Sequence, residues 1–237
     1  MPDAGLVSCI VPVCNGARFL AESIESVLAQ PHRPLEIIVV DDGSTDGTPD
    51  VIASFGGRVR GIRQENAGPS AARNRGVAEA EGAWIAFQDA DDLWEPFKLE
   101  LQLASFARNP ALGLSVGHLQ NFWEPELRDI EEKLRDHPVS RPQAAWGPPL
   151  MLMRRETFDL VGPFDPALRT GEDTDWLFRA REKGVVAEVL PEVILRRRRH
   201  GRNLTANWSA SADGMFAMLK RSMDRRRGAA SGPPATG

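Results

Sequence analysis

An α/β fold, with a mostly parallel central sheet and helices on both faces, is what this sequence predicts. Three observations carry that expectation. Short apolar runs rich in branched residues alternate with stretches of helical apolar spacing from residue 6 to residue 109. Three of the strand-like runs close in polar clusters, at Pro12 to Asn15, Asp41-Asp42 and Asp89 to Asp92. Hydrophobic residues at 42% and charged residues at 26% suit a soluble protein with a sizeable core.

Leu6 to Val13 reads as a strand buried on both faces, closed by Pro12 and Asn15-Gly16. From Ala17 to Gln30 the apolar positions Leu20, Ile24, Val27 and Leu28 mark one buried helical stripe, stopped by Pro31 and Pro34. Leu35 to Val40 is the second strand. Thr48 then has the character of an N-cap, with Pro49 at the first helical position and Asp50 beside the positive helix end, so a helix runs to about Phe55. Val59 to Arg63 is a third strand, Ser70 to Ala80 a helix, and Ala83 to Gln88 a fourth strand.

Glu95 to Asn109 is expected as a helix with Leu99, Leu103 and Phe106 inward, and Leu112 to Leu119 as another strand. From Asn121 to Pro149 the chain is rich in Pro, Trp and charge without periodicity, which predicts a loop-and-helix insertion. Trp123 and Trp146 flank it; an aromatic face suits sugar stacking, although core packing is the commoner fate of Trp. Leu150 to Met153 reads as a strand, Thr174 to Lys183 as a helix ended by Gly184, and Val185 to Leu195 as a final strand.

In doubly wound sheets ligands bind beyond the carboxyl ends of the strands, so the three polar clusters converge on one edge. In FQDADDLW a strand ending at Asp89 sets Asp89 and Asp91 on the same side of the chain, facing one site with two carboxylates. Hard cations such as Mg²⁺ or Mn²⁺ take oxygen ligands and keep places for substrate phosphates. A solvated acidic turn is the plain alternative, and the apolar strand ahead of the cluster favours the metal. Asp92 is expected only to cap the helix that follows. In VVDDGS a carboxylate is placed to accept hydrogen bonds from a nucleobase or ribose, and Asp and Ser at such turns also cap helices.

The segments IVPVCNGARFLAESIESVLAQ, LEIIVVDDGSTDGT, ENAGPSAARNRG, WIAFQDADD and VGPFDPALRTGEDTDWLFR together resemble inverting glycosyltransferases of family 2, over about Val7 to Thr205. The resemblance implies the GT-A (Rossmann-like) fold and transfer of one sugar from a nucleotide-sugar donor, most simply a UDP-sugar, to an acceptor hydroxyl. It implies a donor site of Pro12, Val13, Asn15, Asp41, Asp42, Arg73, Asp89 and Ala90. Pro12 and Asp42 would meet the base, Arg73 the base or phosphates, and Asp89 the ribose and metal. Asp91, with Asp89 and His200, would hold Mn²⁺ or Mg²⁺. Asp173 stands at the position of the general base, because single displacement needs a group that takes the acceptor's proton; Glu172 would help to orient the site. Read without the resemblance, Arg73 is a solvated helix charge, Asp173 and Asp175 an acidic helix start, and His200 a structural or exposed side chain. Two departures are visible: Cys14 stands where relatives carry an aromatic residue, and there is no Gln-x-x-Arg-Trp segment, which disfavours a processive synthase.

The expected organisation is a glycosyltransferase domain over 1–205, donor-binding over about 5–110 and acceptor-binding over about 111–205, then a helix over 206–227 and a disordered tail over 228–237. No apolar run approaches the roughly 18 residues of a membrane span and the start lacks a basic n-region, so the cytoplasm is expected. Arg196 to Arg199, Arg202, Lys220, Arg221 and Arg225 to Arg227 make a basic surface suited to peripheral contact with the inner membrane face, or to a diphosphate. The acceptor is open between saccharide, lipid-linked glycan, small molecule and peptide, and no nucleic-acid partner is expected. Cys9 and Cys14 are expected as free thiols, and the sequons at Asn203 and Asn207 as incidental. Three rival readings share parts of this pattern: a catalytically silent nucleotide-sugar-binding module, a phospho-receiver domain, and a phosphatase. The receiver needs a strand-end Lys, whereas Lys98 falls in the expected helix, and the phosphatase needs a Thr where Leu93 stands.

Overall fold

The first apolar run forms the middle of a nine-stranded sheet. β1 (Asp3–Val13) lies parallel to both β2 (Leu35–Asp42) and β4 (Gly82–Phe87), and β3 (Arg60–Gln64) extends the parallel block beyond β2. The computed structural model describes residues 3–168 and 170–201. The expected helix over 206–227, the tail, the basic residues from Arg202 onward and both sequons lie outside the described residues. A strand covered on both faces must be apolar on both, and Val7, Cys9, Ile10 and Val11 are all fully buried.

α1 (Leu20–Leu28) follows β1 and buries Leu20, Ile24 and Val27, the expected stripe. α2 (Thr48–Ser54) corrects one detail. Thr48 is its first helical residue rather than its cap, and Asp46 Oδ1 accepts from Thr48 N at 3.0 Å. The Thr48 hydroxyl oxygen instead accepts from Gly16 N at 3.0 Å, tying the start of α2 to the loop after β1. α3 (Pro69–Glu79) opens on Pro69 after Gly68, whose φ of 88° suits glycine.

Next come β5 (Leu93–Trp94), α4 (Lys98–Arg108), β6 (Leu112–Trp123), α5 (Arg128–Lys133), β7 (Gln143–Ala144), β8 (Leu152–Arg154), α6 (Arg155–Val161), α7 (Glu172–Glu182) and β9 (Val186–Arg199). The sheet order is β3-β2-β1-β4-β8-β6-β9-β5, with β7 on β6. β8 joins β4 and β6 antiparallel, β6 and β9 run parallel over ten paired positions, and β5 closes the edge antiparallel to β9. Parallel pairing therefore dominates the ladder.

Three expectations need correction here. The helix expected from Glu95 starts at Lys98, because β5 and a turn with Phe97 at φ 65° occupy the preceding residues. Asp92 therefore caps no helix. The last strand continues through all four arginines instead of ending at Leu195. α6 has no signature in the sequence, since seven residues give the helical period too few turns to declare itself.

Ile10 and Phe87 are paired in register and so share a face. On that face the Phe87 ring lies 5.5 Å from Phe164 and 6.4 Å from Phe158, and Phe158 stacks on Trp176 of α7. α3 covers the same face, because Gly76 packs directly on Ile10. Val7 and Trp84 share the opposite face, where Trp84 meets Phe106 of α4 at 4.7 Å. Helices thus cover both faces, as expected.

Candidate functional site

The acidic segment leaves the sheet where β4 ends, and its shape is fixed from three directions. Asp92 N donates to Asp89 O at 3.2 Å, closing a turn. Ser23 of α1 donates its hydroxyl to Asp89 O at 2.9 Å, while buried Gln88 donates to Ser23 Oγ at 3.0 Å and Asp92 O at 2.6 Å. From β9, Arg198 donates its backbone N–H to Asp92 Oδ1 at 2.9 Å and its Nε to Asp91 O at 2.9 Å. The Asp92 carboxylate is therefore structural, and burial, followed by the charges of Asp91 and Asp89, pushes it well above the usual carboxylate range. Asp89 and Asp91 keep side chains 35% and 32% exposed, open to a ligand.

Beside this turn lie the ends of β1 and β2. Val13 is buried, Pro12 and Ala90 are partly buried, and a Cβ on Gly16 would sit 3.6 Å from Ala90, which places the two loops in contact. Asn15 adopts φ 55°, a conformation Asn tolerates. Its Oδ1 accepts from Thr45 N at 2.8 Å and its N–H donates to Ser44 Oγ at 2.9 Å, joining the β1 and β2 loops. Asp42 is buried and accepts from Gln64 Nε2, Ala67 N and Gly68 N at 2.8 to 2.9 Å, so it shapes the loop that leads into α3. Asp41 caps the turn, accepting from Ser44 N at 2.9 Å, with Arg63 3.1 Å away.

The third component arrives through Arg73. This side chain is only 7% exposed and spans two carboxylates: Nη2 lies 3.1 Å from Asp89 Oδ1, and Nη1 lies 2.8 Å from Glu172 Oε1. Burial lowers the Arg73 pKa, but Asp89 and Glu172 outweigh it and hold the guanidinium firmly charged. Glu172 shifts upward through burial, opposed by Arg73. Glu172 and Asp173 open α7 after Gly171, which takes the left-handed φ of 77°. The turn ahead of them is anchored: Asn74 and Phe164 exchange two hydrogen bonds, and Arg179 donates to Val161 O and Pro163 O at 2.8 Å. Asp173 stays partly exposed, its Oδ1 accepting from Thr174 N at 2.7 Å.

His200 follows β9 directly, and its Nε2 lies 2.9 Å from Asp91 Oδ2 with the ring 4.8 Å from Phe19. The arginine run was expected as a solvated basic surface. Arg198 departs from that: it is 4% exposed, paired with Glu22 and Glu124, and packed between Phe19 and Phe122 at 4.6 Å from each ring. The cause is the length of β9, which carries Arg198 inward on the strand alternation. The part that Ser23, Gln88 and Arg198 play in shaping the acidic turn is not evident from the sequence. Ser23 and Gln88 carried a usable signal, being polar at positions that the helix and strand periods assign to the interior.

Among the described residues no three His, Cys, Asp or Glu side chains close around one point tightly enough to enclose a cation unaided. The juxtaposed Asp91 carboxylate and His200 imidazole still fit one side of a cation shell, with the remaining positions left to ligand oxygens or water. Cys9 and Cys14 are free thiols, the first buried and the second exposed. No helix of the described residues is long and apolar enough to cross a membrane.

Comparison with known proteins gives a consistent picture. The family model described as Glycosyl transferase family 2 matches residues 8–160. An uncharacterized glycosyltransferase of Nostoc sp. is 35% identical over 176 residues, covering 68% of this chain and 54% of that protein, so this chain spans about half the length of that relative. Among solved structures, Staphylococcus aureus TarS in complex with UDP-GlcNAc superposes with a TM-score of 0.70 at 19% identity, covering 85% of this chain and 60% of that one. The mannosyltransferase PcManGT from Pyrobaculum calidifontis, in complex with GDP-Man and Mn²⁺, gives a TM-score of 0.70 at 24% identity, covering 94% and 66%. These likenesses establish a shared GT-A fold.

Proposed function

Since the chain belongs to glycosyl transferase family 2, we propose that it moves a single sugar from a nucleoside diphosphate sugar to an acceptor hydroxyl, with inversion. The carrying observation is that Arg73 joins Asp89 of the acidic turn to Glu172 at the head of α7, which supports one site shared by donor and acceptor. That TarS and PcManGT form complexes with UDP-GlcNAc and GDP-Man supports a nucleotide-sugar donor here.

In this reading the nucleoside lies across the loops after β1 and β2. Pro12, Val13 and Asn15 form one wall, and Asp41 and Asp42 the other, with Asp42 also fixing the 64–68 loop. Asp89 gives Oδ1 to Arg73 and keeps its other oxygen for ribose or cation. Ala90 packs the floor. Asp91 and His200, together with Asp89, would hold a divalent cation, Mn²⁺ or Mg²⁺, which would supply charge neutralisation for the departing diphosphate. Asp173 takes the acceptor's proton; it stands one residue beyond Glu172, whose pairing with Arg73 fixes where α7 begins. Arg73 acts as a positioning residue, because both of its terminal nitrogens are committed to carboxylates. Residues 5–110 serve the donor and 111–205 the acceptor.

The decisive experiment pairs calorimetry of UDP and GDP binding, with and without Mn²⁺, with a sugar-nucleotide turnover assay on Asp173→Asn. Nucleotide affinity should persist in the variant while turnover falls by at least about a hundredfold, the usual range for a lost general base. Unchanged turnover would remove Asp173 from the mechanism. Binding without turnover in the unaltered protein would favour a silent binding module.

A further inference from the structure

Glu124, the first residue after β6, has each oxygen of its carboxylate taken by a different arginine. Oε2 accepts from Nη2 of Arg18, in the loop ahead of α1, at 2.9 Å, and Oε1 accepts from Arg198 Nη1. The Glu124 backbone N–H also donates to Arg199 O at 3.0 Å, which carries the pairing of β6 with β9 one step further. A carboxylate that stands at a strand end and is closed between two guanidiniums has little freedom left, and this one is only 12% exposed.

What Glu124 holds is the side chain that shapes the acidic turn. The Arg198 guanidinium is a rigid plane, and its three nitrogens meet acceptors on three different segments: Nε meets Asp91 O at 2.9 Å, Nη1 meets Glu124, and Nη2 meets Glu22. Because the plane is rigid, the two outer contacts decide where Nε points. Glu22 is 60% exposed and screened by solvent, so it is the weak anchor and Glu124 the firm one. The same grip reaches His200. The centroid of the Phe19 ring lies 4.6 Å from the Arg198 guanidinium carbon and 4.8 Å from the His200 imidazole, and Arg18 covers the ring at 4.6 Å. A displaced Arg198 would loosen both halves of the Asp91 and His200 pair, the carboxylate through its own backbone and the imidazole through the ring it rests on.

We propose that Glu124, held by Arg18, is a positioning residue for the cation site, acting through Arg198 on Asp91 and His200. The assignment rests on the reading of Asp91 and His200 given above and extends it to a carboxylate that works through another residue.

Calorimetry on the full chain measures UDP and GDP affinity with and without Mn²⁺. The ratio of the two affinities is the readout, because a merely structural loss lowers both and leaves their ratio alone. Glu124→Gln, nearly isosteric, should keep the metal-free affinity and cut the ratio about tenfold, the low end of the range for a group that orients a metal ligand. Arg18→Gln should cut it by less, its guanidinium being 58% exposed. Glu126→Gln removes the same charge from the other partner of Arg18 but leaves Arg198 its anchor, so the ratio should not change. If Glu124→Gln loses metal-free affinity, Arg18→Gln decides alone, and an unchanged ratio there overturns the proposal. A ratio unchanged in Glu124→Gln overturns it too, as does an equal fall in Glu126→Gln; in both cases the cation reading stands. No Mn²⁺ effect in the unaltered chain would instead sink the cation site, and this role with it. A ratio that depends on Glu124 in a protein without sugar-nucleotide turnover would uphold the positioning role and remove the transfer.

Discussion

His200 Nε2 lies 2.9 Å from Asp91 Oδ2, although 109 positions separate the two residues in the chain. If that pair forms the protein side of a cation shell, the two residues should differ in weight, the carboxylate carrying charge and the imidazole only a neutral donor. Asp91→Ala is expected to abolish the Mn²⁺-dependent part of nucleotide binding. His200→Ala should weaken it by at least about tenfold, since losing a group that only orients a metal ligand already costs roughly 10- to 100-fold. Calorimetry at several Mn²⁺ concentrations reads both, and equal affinities with and without Mn²⁺ in the unaltered chain would refute the cation site.

Arg73→Ala leaves Asp89 and Glu172 facing each other across a partly buried gap. A loss of about 2 to 3 kcal/mol is expected, below the full cost of a broken buried pair because Asp89 is a third exposed. Arg73→Lys should recover only part of it, since an ammonium cannot span two carboxylates as the planar fork does. Urea denaturation gives the stability, and turnover measured well below the melting point shows whether α7 has shifted. Turnover unchanged in Arg73→Ala would show that the link is not needed.

Gly76 is where α3 lies directly on β1. An added Cβ would come within 2.3 Å of Ile10 Cγ2, and Ile10 is fully buried, so the helix must lift or the strand residue change rotamer. Gly76→Ala is expected to destabilise by about 1 to 3 kcal/mol despite its better helix propensity. It should also lower turnover, because the same helix carries Arg73. Gly76→Ala with Ile10→Val should restore part of the stability, and no recovery in that pair would disprove the contact as the cause.

The parallel half of the sheet was legible because each strand there is a continuous apolar run and each helix shows its stripe, as Leu20, Ile24 and Val27 do. The acidic turn was legible for a related reason: it interrupts such a run abruptly. Local patterning does not show what a residue packs against over a hundred positions away. Arg198 looks like surface in sequence and is interior in space, because β6 and β9 pair along their whole length and α1 and the acidic turn close over the end. Arg73 likewise reads as a lone helix charge in sequence, and its pairing with Glu172 spans 99 positions.

Lys98 is fully buried, donates to Gln102 Oε1 at 2.6 Å and lies 4.5 Å from the Trp94 ring centroid. Burial lowers its pKa to about 7, with Cys9 acting in the opposite direction. A free lysine titrates near 10.4, so between about 7 and 10 the unfolded chain binds a proton that the folded chain does not. Stability should therefore rise with pH across that window, by on the order of 1 kcal/mol per pH unit, and lie flat at its lowest below it. Lys98→Met removes this dependence. Urea midpoints of both proteins at pH 7, 8 and 9 give the difference, and a constant difference would contradict a neutral Lys98 in the fold.

The fastening of the acidic turn by Arg198 has a consequence for the order of events during synthesis. The contacts from Arg198 to Asp92 and Asp91 bridge 106 and 107 positions. At about 5 to 20 residues per second, the ribosome releases the acidic turn roughly five to twenty seconds before the strand that pins it. The parallel block has everything it needs to condense in that interval, yet the turn remains unclamped until β9 docks. Nascent chains arrested before residue 195 should thus be compact but unable to retain nucleotide, and the site becomes competent only as the last described strand arrives.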